Sequence, residues 1–162
     1  MMRLALKQTC IAIACSAGLA LSGGAVTAQE THSATQITSE RDAKRLRTAQ
    51  GVTVQWIGWE QRGEVYVEHG PSGVWRINGL QRGDGGRLAV DGVITEIGED
   101  YFLLDGRIVI SGTPDKDRLC VQDKVWRFEV TQDRTYYRLR EFEWCDGLTD
   151  YVDVYFSPRL RG

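Results

Sequence analysis

From Val52 onward, apolar side chains fall at every second position. The alternation runs through VTVQWIGWE, GEVYVEHG, GVWRING, RLAVDGVITEI, DYFLLDGRIVI, KVWRFEVT, TYYRLREFEW and YVDVYF. Period two is the pattern of strands with one buried face. The junctions QRG, HGPSG, RGDGG, GED, GTPDKD, TQDR and CDGLTD are built from turn residues. Short strands at this spacing, with no helix-length pattern between them, predict an all-β antiparallel domain of about eight strands over residues 52–156. The expected form is a closed or nearly closed small barrel, with a two-sheet sandwich as the alternative.

Glycine placement favours the barrel. WRING, LAVDG and FLLDG each end in an Asn-Gly or Asp-Gly pair, which usually marks a tight hairpin. A turn at Asp105-Gly106 would set Leu104 opposite Arg107 and mix the faces. A strand running straight through keeps Phe102, Leu104, Gly106, Ile108 and Ile110 on one side. Gly58, Gly79, Gly92 and Gly106 are therefore read as interior strand glycines, which permit bends or close backbone approach. The same parity turns Val54, Trp56, Val65, Val67, Trp75, Ile77, Leu88, Val90, Ile94, Trp126, Phe128, Val130, Val152, Val154 and Phe156 inward.

Ahead of the strands, residues 39–51 predict a short helix. Ser39 caps its start, Asp42 takes the capping-box position, and Gly51 ends it. Its apolar stripe is only Ala43, Leu46 and Ala49. Residues 29–38 read as a flexible linker and 157–162 as a C-terminal tail.

The first 28 residues change the setting. Arg3 and Lys7 precede an uncharged run from Cys10 to Ala28 that ends in AVTA, an A-x-A cleavage pattern. Residues 1–28 are expected to be a signal peptide of bacterial type, which places the protein in the periplasm or outside the cell. The alternative is a lipoprotein processed at Cys15. Loss of the leader takes the formal net charge from −2 to −4, the wrong sign for a nucleic-acid binder. No stretch is long enough for a spanning helix. A membrane barrel is excluded because Arg76, Arg107, Arg127, Glu129 and Arg138 fall on the second face.

Export decides how the cysteines read. Cys10 and Cys15 lie in the leader, which leaves Cys120 and Cys145. Two cysteines in an oxidising compartment are expected to pair, and the loop they close is worth about 3 kcal/mol.

Candidate chemistry is sparse. His32 and His69 are the only histidines. His69 sits in a turn near Ser72, and neither zinc nor a nucleophile–histidine centre finds its ligands. Calcium has two candidate clusters. Asp115, Asp117 and Asp123 fail the EF-hand pattern at Leu119 and Cys120; Asp146 and Asp150 flank a turn, with Asp153 expected to face solvent. No metal and no cofactor are expected. Glu141 and Glu143, two apart on a strand, form a possible buried acidic pair suited in principle to acid/base hydrolysis. Cross-strand pairing with Arg138 and Arg140 is the structural alternative, and a bulge after Leu139 would turn Phe142 and Trp144 inward instead. Trp59, Tyr66, Tyr136 and Trp144 fall on candidate outer faces or strand ends and form the expected binding surface.

The outline of export signal, short helix, about eight strands and one disulfide resembles small secreted β-barrels. Among these are lipocalin-like carriers and periplasmic inhibitors of lysozymes or proteases. The stretch GVTVQWIGW is similar to the glycine-x-tryptophan opening of lipocalins, though Trp56 lies five residues after Gly51 rather than two. The likeness is of plan, not of motif. The expected function is a non-enzymatic envelope protein that binds a protein partner, or a small apolar ligand inside the barrel. A small secreted hydrolase using Glu141 and Glu143, and a structural envelope component, are the alternatives.

Overall fold

The computed structural model describes residues 32–161. The expected leader, with Cys15, and the start of the expected linker lie outside the described residues. The elements are β1 (Gln36–Ile37), α1 (Glu40–Arg47), β2 (Gly51–Val54), β3 (Glu64–His69), β4 (Trp75–Gly83), β5 (Gly86–Gly98), β6 (Tyr101–Ser111), β7 (Leu119–Glu129), β8 (Tyr136–Leu139) and β9 (Val152–Tyr155). A 3₁₀ turn follows at Pro158–Leu160.

Strands β2 to β9 form a nearly closed antiparallel barrel in the order β2-β9-β8-β7-β6-β5-β4-β3. The seam between β2 and β3 is held by one bridge, in which Val52 and Gly63 exchange both backbone hydrogen bonds at 3.1 and 2.8 Å. The predicted long strands run straight through Gly79, Gly92 and Gly106, whereas Gly58 lies in the turn after β2, which ends at Val54. Gly79 lies opposite Val90, and Gly92 opposite Gly106. At that last pair the backbones are too close for a side chain: a Cβ on Gly106 would sit 2.3 Å from the Asp91 carbonyl oxygen. This close approach lets β5 and β6 bend around the core.

The core follows the predicted parity, and aromatic rings fill the barrel axis. Phe102 stacks on Phe128 at 4.8 Å, Tyr137 meets Phe102 edge-on at 5.2 Å, and Phe156 lies 5.3 Å from Tyr137. Trp126 is fully buried and its indole donates to the Gly106 carbonyl. Trp56, Val65, Val67 and Val130 pack only partly against this core.

The N-terminal region departs from expectation in two places. Part of the expected linker is ordered. Gln36–Ile37 pair in parallel with Glu96–Ile97, where β4 has already stopped pairing with β5 at Ile94. Thr35 bridges that junction, its hydroxyl donating to the Ile94 carbonyl and accepting from the Trp75 amide. Helix α1 starts at the Ser39 cap as expected but ends at Thr48, and Gly51 instead opens β2.

Helix α1 docks through a polar cluster as well as through Ala43 and Leu46. Asp42 and Arg45 are both buried. Tyr137 donates its hydroxyl to Asp42 at 2.6 Å, and Arg45 donates to Asp42, Asp100 and the carbonyls of Leu160 and Arg161. Burial acts to raise the Asp42 pKa. The hydrogen bonds from Ser39, Tyr137 and Arg45 outweigh it and hold the carboxyl below its ordinary range. Burial and Asp42 together push the Tyr137 phenol well up. The C-terminal tail is thus tied to the helix.

Candidate functional site

Strand β8 ends at Leu139, and residues 140–151 form an irregular cover over the part of β7 that β8 does not reach. Cys145 lies in this cover and joins Cys120 of β7, with Cα atoms 5.7 Å apart. Trp144 turns inward and meets Trp126 edge-on at 5.3 Å, so it is buried and belongs to no surface. Glu141 and Glu143 are correspondingly exposed, and Glu141 pairs with Lys124. The expected inward carboxylate pair does not form, because the strand parity that would aim it inward is lost where the strand stops.

Asp146 and Asp150, one candidate calcium cluster, are both taken by a guanidinium. Arg118 donates to Asp146 at 2.8 and 2.9 Å and to Asp150 at 3.0 and 2.8 Å. Burial alone would lower the Arg118 pKa; the two carboxylates raise it further above its ordinary value. The Trp56 indole completes the Asp150 shell at 2.8 Å. Both carboxylates are thus engaged in pairing with Arg118.

Asp153, expected to face solvent, is fully buried on the outer side of β9. It lies between Thr53 of β2 and Arg138 of β8 in the sheet register. Arg138 binds it through Nε and Nη2, both at 2.7 Å. Burial pushes the Asp153 carboxyl up, and Arg138 pulls it back only in part. The Arg138 pKa is raised, chiefly by its bond to Asp153.

Aromatic rings surround this pair. The Arg138 guanidinium lies 4.4 Å from the Tyr151 ring, 5.1 Å from Tyr136 and 5.4 Å from Trp59. Tyr136 also meets Tyr155, its register partner, at 5.2 Å. Arg62 stacks over Tyr155 at 4.0 Å and Arg134 over Tyr136 at 5.5 Å. Trp59 and Arg62 arrive on the segment between β2 and β3. Buried Gln81 holds that segment by donating to the carbonyls of Gly58 and Gln61. Of the four expected surface aromatics, Trp59 and Tyr136 therefore come together. Tyr66 stands apart on β3, 59% exposed.

Arg138 and Arg134 act on the one carboxylate of Asp153, and Arg62 lies over the neighbouring Tyr155 ring; neither Arg62 nor Arg134 forms an ion pair among the described residues. Arg138 keeps Nη1 clear of Asp153. Sequence reasoning missed Arg62, Tyr151 and Tyr155, and gave Arg138 and Asp153 other roles. The available signal was Asp153 itself, an acid within the apolar run YVDVYF.

Fold and face define a small antiparallel barrel, held by one disulfide, whose outer β2–β9–β8 surface carries an arginine–aromatic cluster. The chain belongs to the PM1083 family, whose pattern it matches over residues 34–156. It is 33% identical over 105 residues to a Pasteurella multocida (strain Pm70) protein described as "Uncharacterized protein PM1083", covering 64% of this chain and 68% of that one. No solved structure matches it. Among the described residues, no helix is long and apolar enough to cross a membrane. The disulfide is compatible with an extracellular or periplasmic location.

Proposed function

We propose that the protein is a non-enzymatic, exported barrel that binds a protein partner through the arginine–aromatic face around Arg138. The observation that carries this reading is the Arg138 guanidinium fixed on Asp153 and framed by Trp59, Tyr136 and Tyr151. Tryptophan, tyrosine and arginine are the side chains that dominate binding energy at protein interfaces. Holding the arginine and the rings in place before contact lowers the ordering cost of association. The leader features and the disulfide support export to the periplasm or beyond.

The filled barrel axis weighs against a small apolar ligand inside, since Phe102, Phe128, Tyr137 and Trp126 have no solvent exposure. The separated, exposed positions of Glu141 and Glu143 weigh against a hydrolase.

Site-specific photocrosslinking in the bacterial host tests the proposal. A crosslinker at position 59 should give a discrete adduct that disappears in an Arg138→Ala background. The same crosslinker at Tyr66 should give none. Equal adducts at both positions, or none at 59, would overturn the reading.

A further inference from the structure

A second surface lies on the outer faces of β4 to β7, strands that contribute nothing to the arginine–aromatic face. The sheet register sets three transverse rows side by side. Arg82, Arg87, Ser111 and Leu119 form the first, and Leu80, Ala89, Val109 and Val121 the second. Asn78, Asp91, Arg107 and Asp123 form the third. The middle row is wholly aliphatic. A depression of about 450 Å³ lies over it, bounded by Arg87 and Leu119 on one side and by Asp91 and Arg107 on the other. That volume is in the range of sites for small organic ligands.

The charges on the Arg82/Arg87 edge are of one sign, whereas Arg107 on the opposite edge stands between its register partners Asp91 and Asp123. Arg82 and Arg87 are direct cross-strand partners, a spacing of about 5 Å between Cβ atoms at which like charges destabilise a sheet. Neither forms an ion pair among the described residues, and nor does Arg107. Asp91, the nearest acid on β5, is instead held by Asn78 at 3.0 Å. The aliphatic lining is also unusually exposed: Leu119 at the edge is 67% accessible and Val121 in the middle row 39%. Two adjacent guanidinium groups match the geometry of a carboxylate or phosphate. A floor without a ring offers no stacking platform for a base or a sugar.

We propose that this depression binds one molecule of an anionic amphiphile. Its phosphate or carboxylate head sits on Arg82 and Arg87, and its aliphatic chain lies over Ala89, Val109, Leu119 and Val121. The row crosses four strands, a span of roughly 14 Å at the usual strand spacing, and Arg107 closes its far side. The shallow depression follows one row of side chains across the strands, which suits a single extended chain. The site is independent of the partner-binding reading above.

The test is calorimetric titration of the mature, disulfide-bonded protein with dodecyl phosphate below its micelle concentration, alongside inorganic phosphate and dodecanol. Hydrogen exchange locates the site. The expected result is one-to-one binding with slowed exchange in β5, β6 and β7. Affinity should fall at least tenfold in Arg82→Gln/Arg87→Gln and at least threefold in Val121→Asn. Arg76→Gln should bind like the wild type. Circular dichroism of each variant should match the wild type, so that lost binding is not lost fold. The proposal is overturned if the arginine double variant binds equally well, or if inorganic phosphate alone binds as tightly. It is also overturned if dodecyl phosphate monomers fail to bind while vesicles of anionic phospholipid do.

Discussion

Arg138→Gln separates the electrostatic role of the Arg138–Asp153 pair from mere packing. The substitution keeps a polar side chain of moderate length but removes the charge that faces a fully buried carboxylate. The wild-type pair is 13% exposed on the arginine side and 0% on the aspartate side, so solvent screens it little. Removing one partner of a buried pair costs about 3–5 kcal/mol, because the remaining charge is stranded. For a domain of this size that corresponds to a fall of about 10–20 °C in Tm. Replacing both partners in Arg138→Met/Asp153→Val should cost far less, within about 1 kcal/mol of wild type, since apolar substitutes for a buried pair are often neutral. The sign with pH follows from burial. Asp153 already has a raised folded pKa, so ionising it costs stability as pH rises through that value. Without Arg138 the pKa climbs further, and the deficit against wild type is largest near neutral pH and shrinks on acidification. Urea unfolding at about pH 7 and about pH 5 reads both effects. A single variant no less stable than the double one, or a deficit unchanged between the two pH values, would refute the reasoning.

Three further outcomes are expected. The Cys120→Ser/Cys145→Ser variant should lose about 3 kcal/mol in denaturant unfolding, since the bridge closes a 25-residue separation; equal stability of the reduced and oxidised wild type would count against this. Gly106→Ala should destabilise by about 3 kcal/mol or more, because its Cβ would meet the Asp91 carbonyl oxygen at 2.3 Å where β5 and β6 touch, and Gly85→Ala, whose added Cβ meets nothing but whose φ is positive, should cost less. Tyr137→Phe removes one of the bonds that hold the Asp42 pKa down. Stability from a depressed carboxyl is present above its unfolded pKa and lost as pH falls through the folded value, so the variant's acid-unfolding midpoint should move to higher pH.

The barrel was legible because strand parity survives interior glycines. Phe102 to Ile110 could be read as one straight strand without knowing its neighbours. The arginine–aromatic face was not legible, because Arg138 and Asp153 meet only once β8 and β9 are placed in register. The irregular segment between them hides that register. The same segment defeated the reading of Glu141 and Glu143. Trp144 has to cover Trp126, and Cys145 has to reach Cys120, so the backbone leaves strand geometry after Leu139 and local alternation no longer says which way a side chain points. Gln36–Ile37 escaped notice for another reason: a two-residue strand has no period, and its place is set by the vacancy beside β5.

The pairing of β2 with β9 joins distant parts of the chain. Gly51 pairs with Tyr155, and Val54 with Val152, so β2 finds its neighbour only about a hundred residues later. Contacts of such separation are slow to form. A growing chain can assemble the β3-to-β7 meander from successive hairpins, but β2 stays without β9 until that strand has been made. Closure of the barrel therefore waits for β9, and until residues 152–155 are made β2 has no neighbour to pair with along its length.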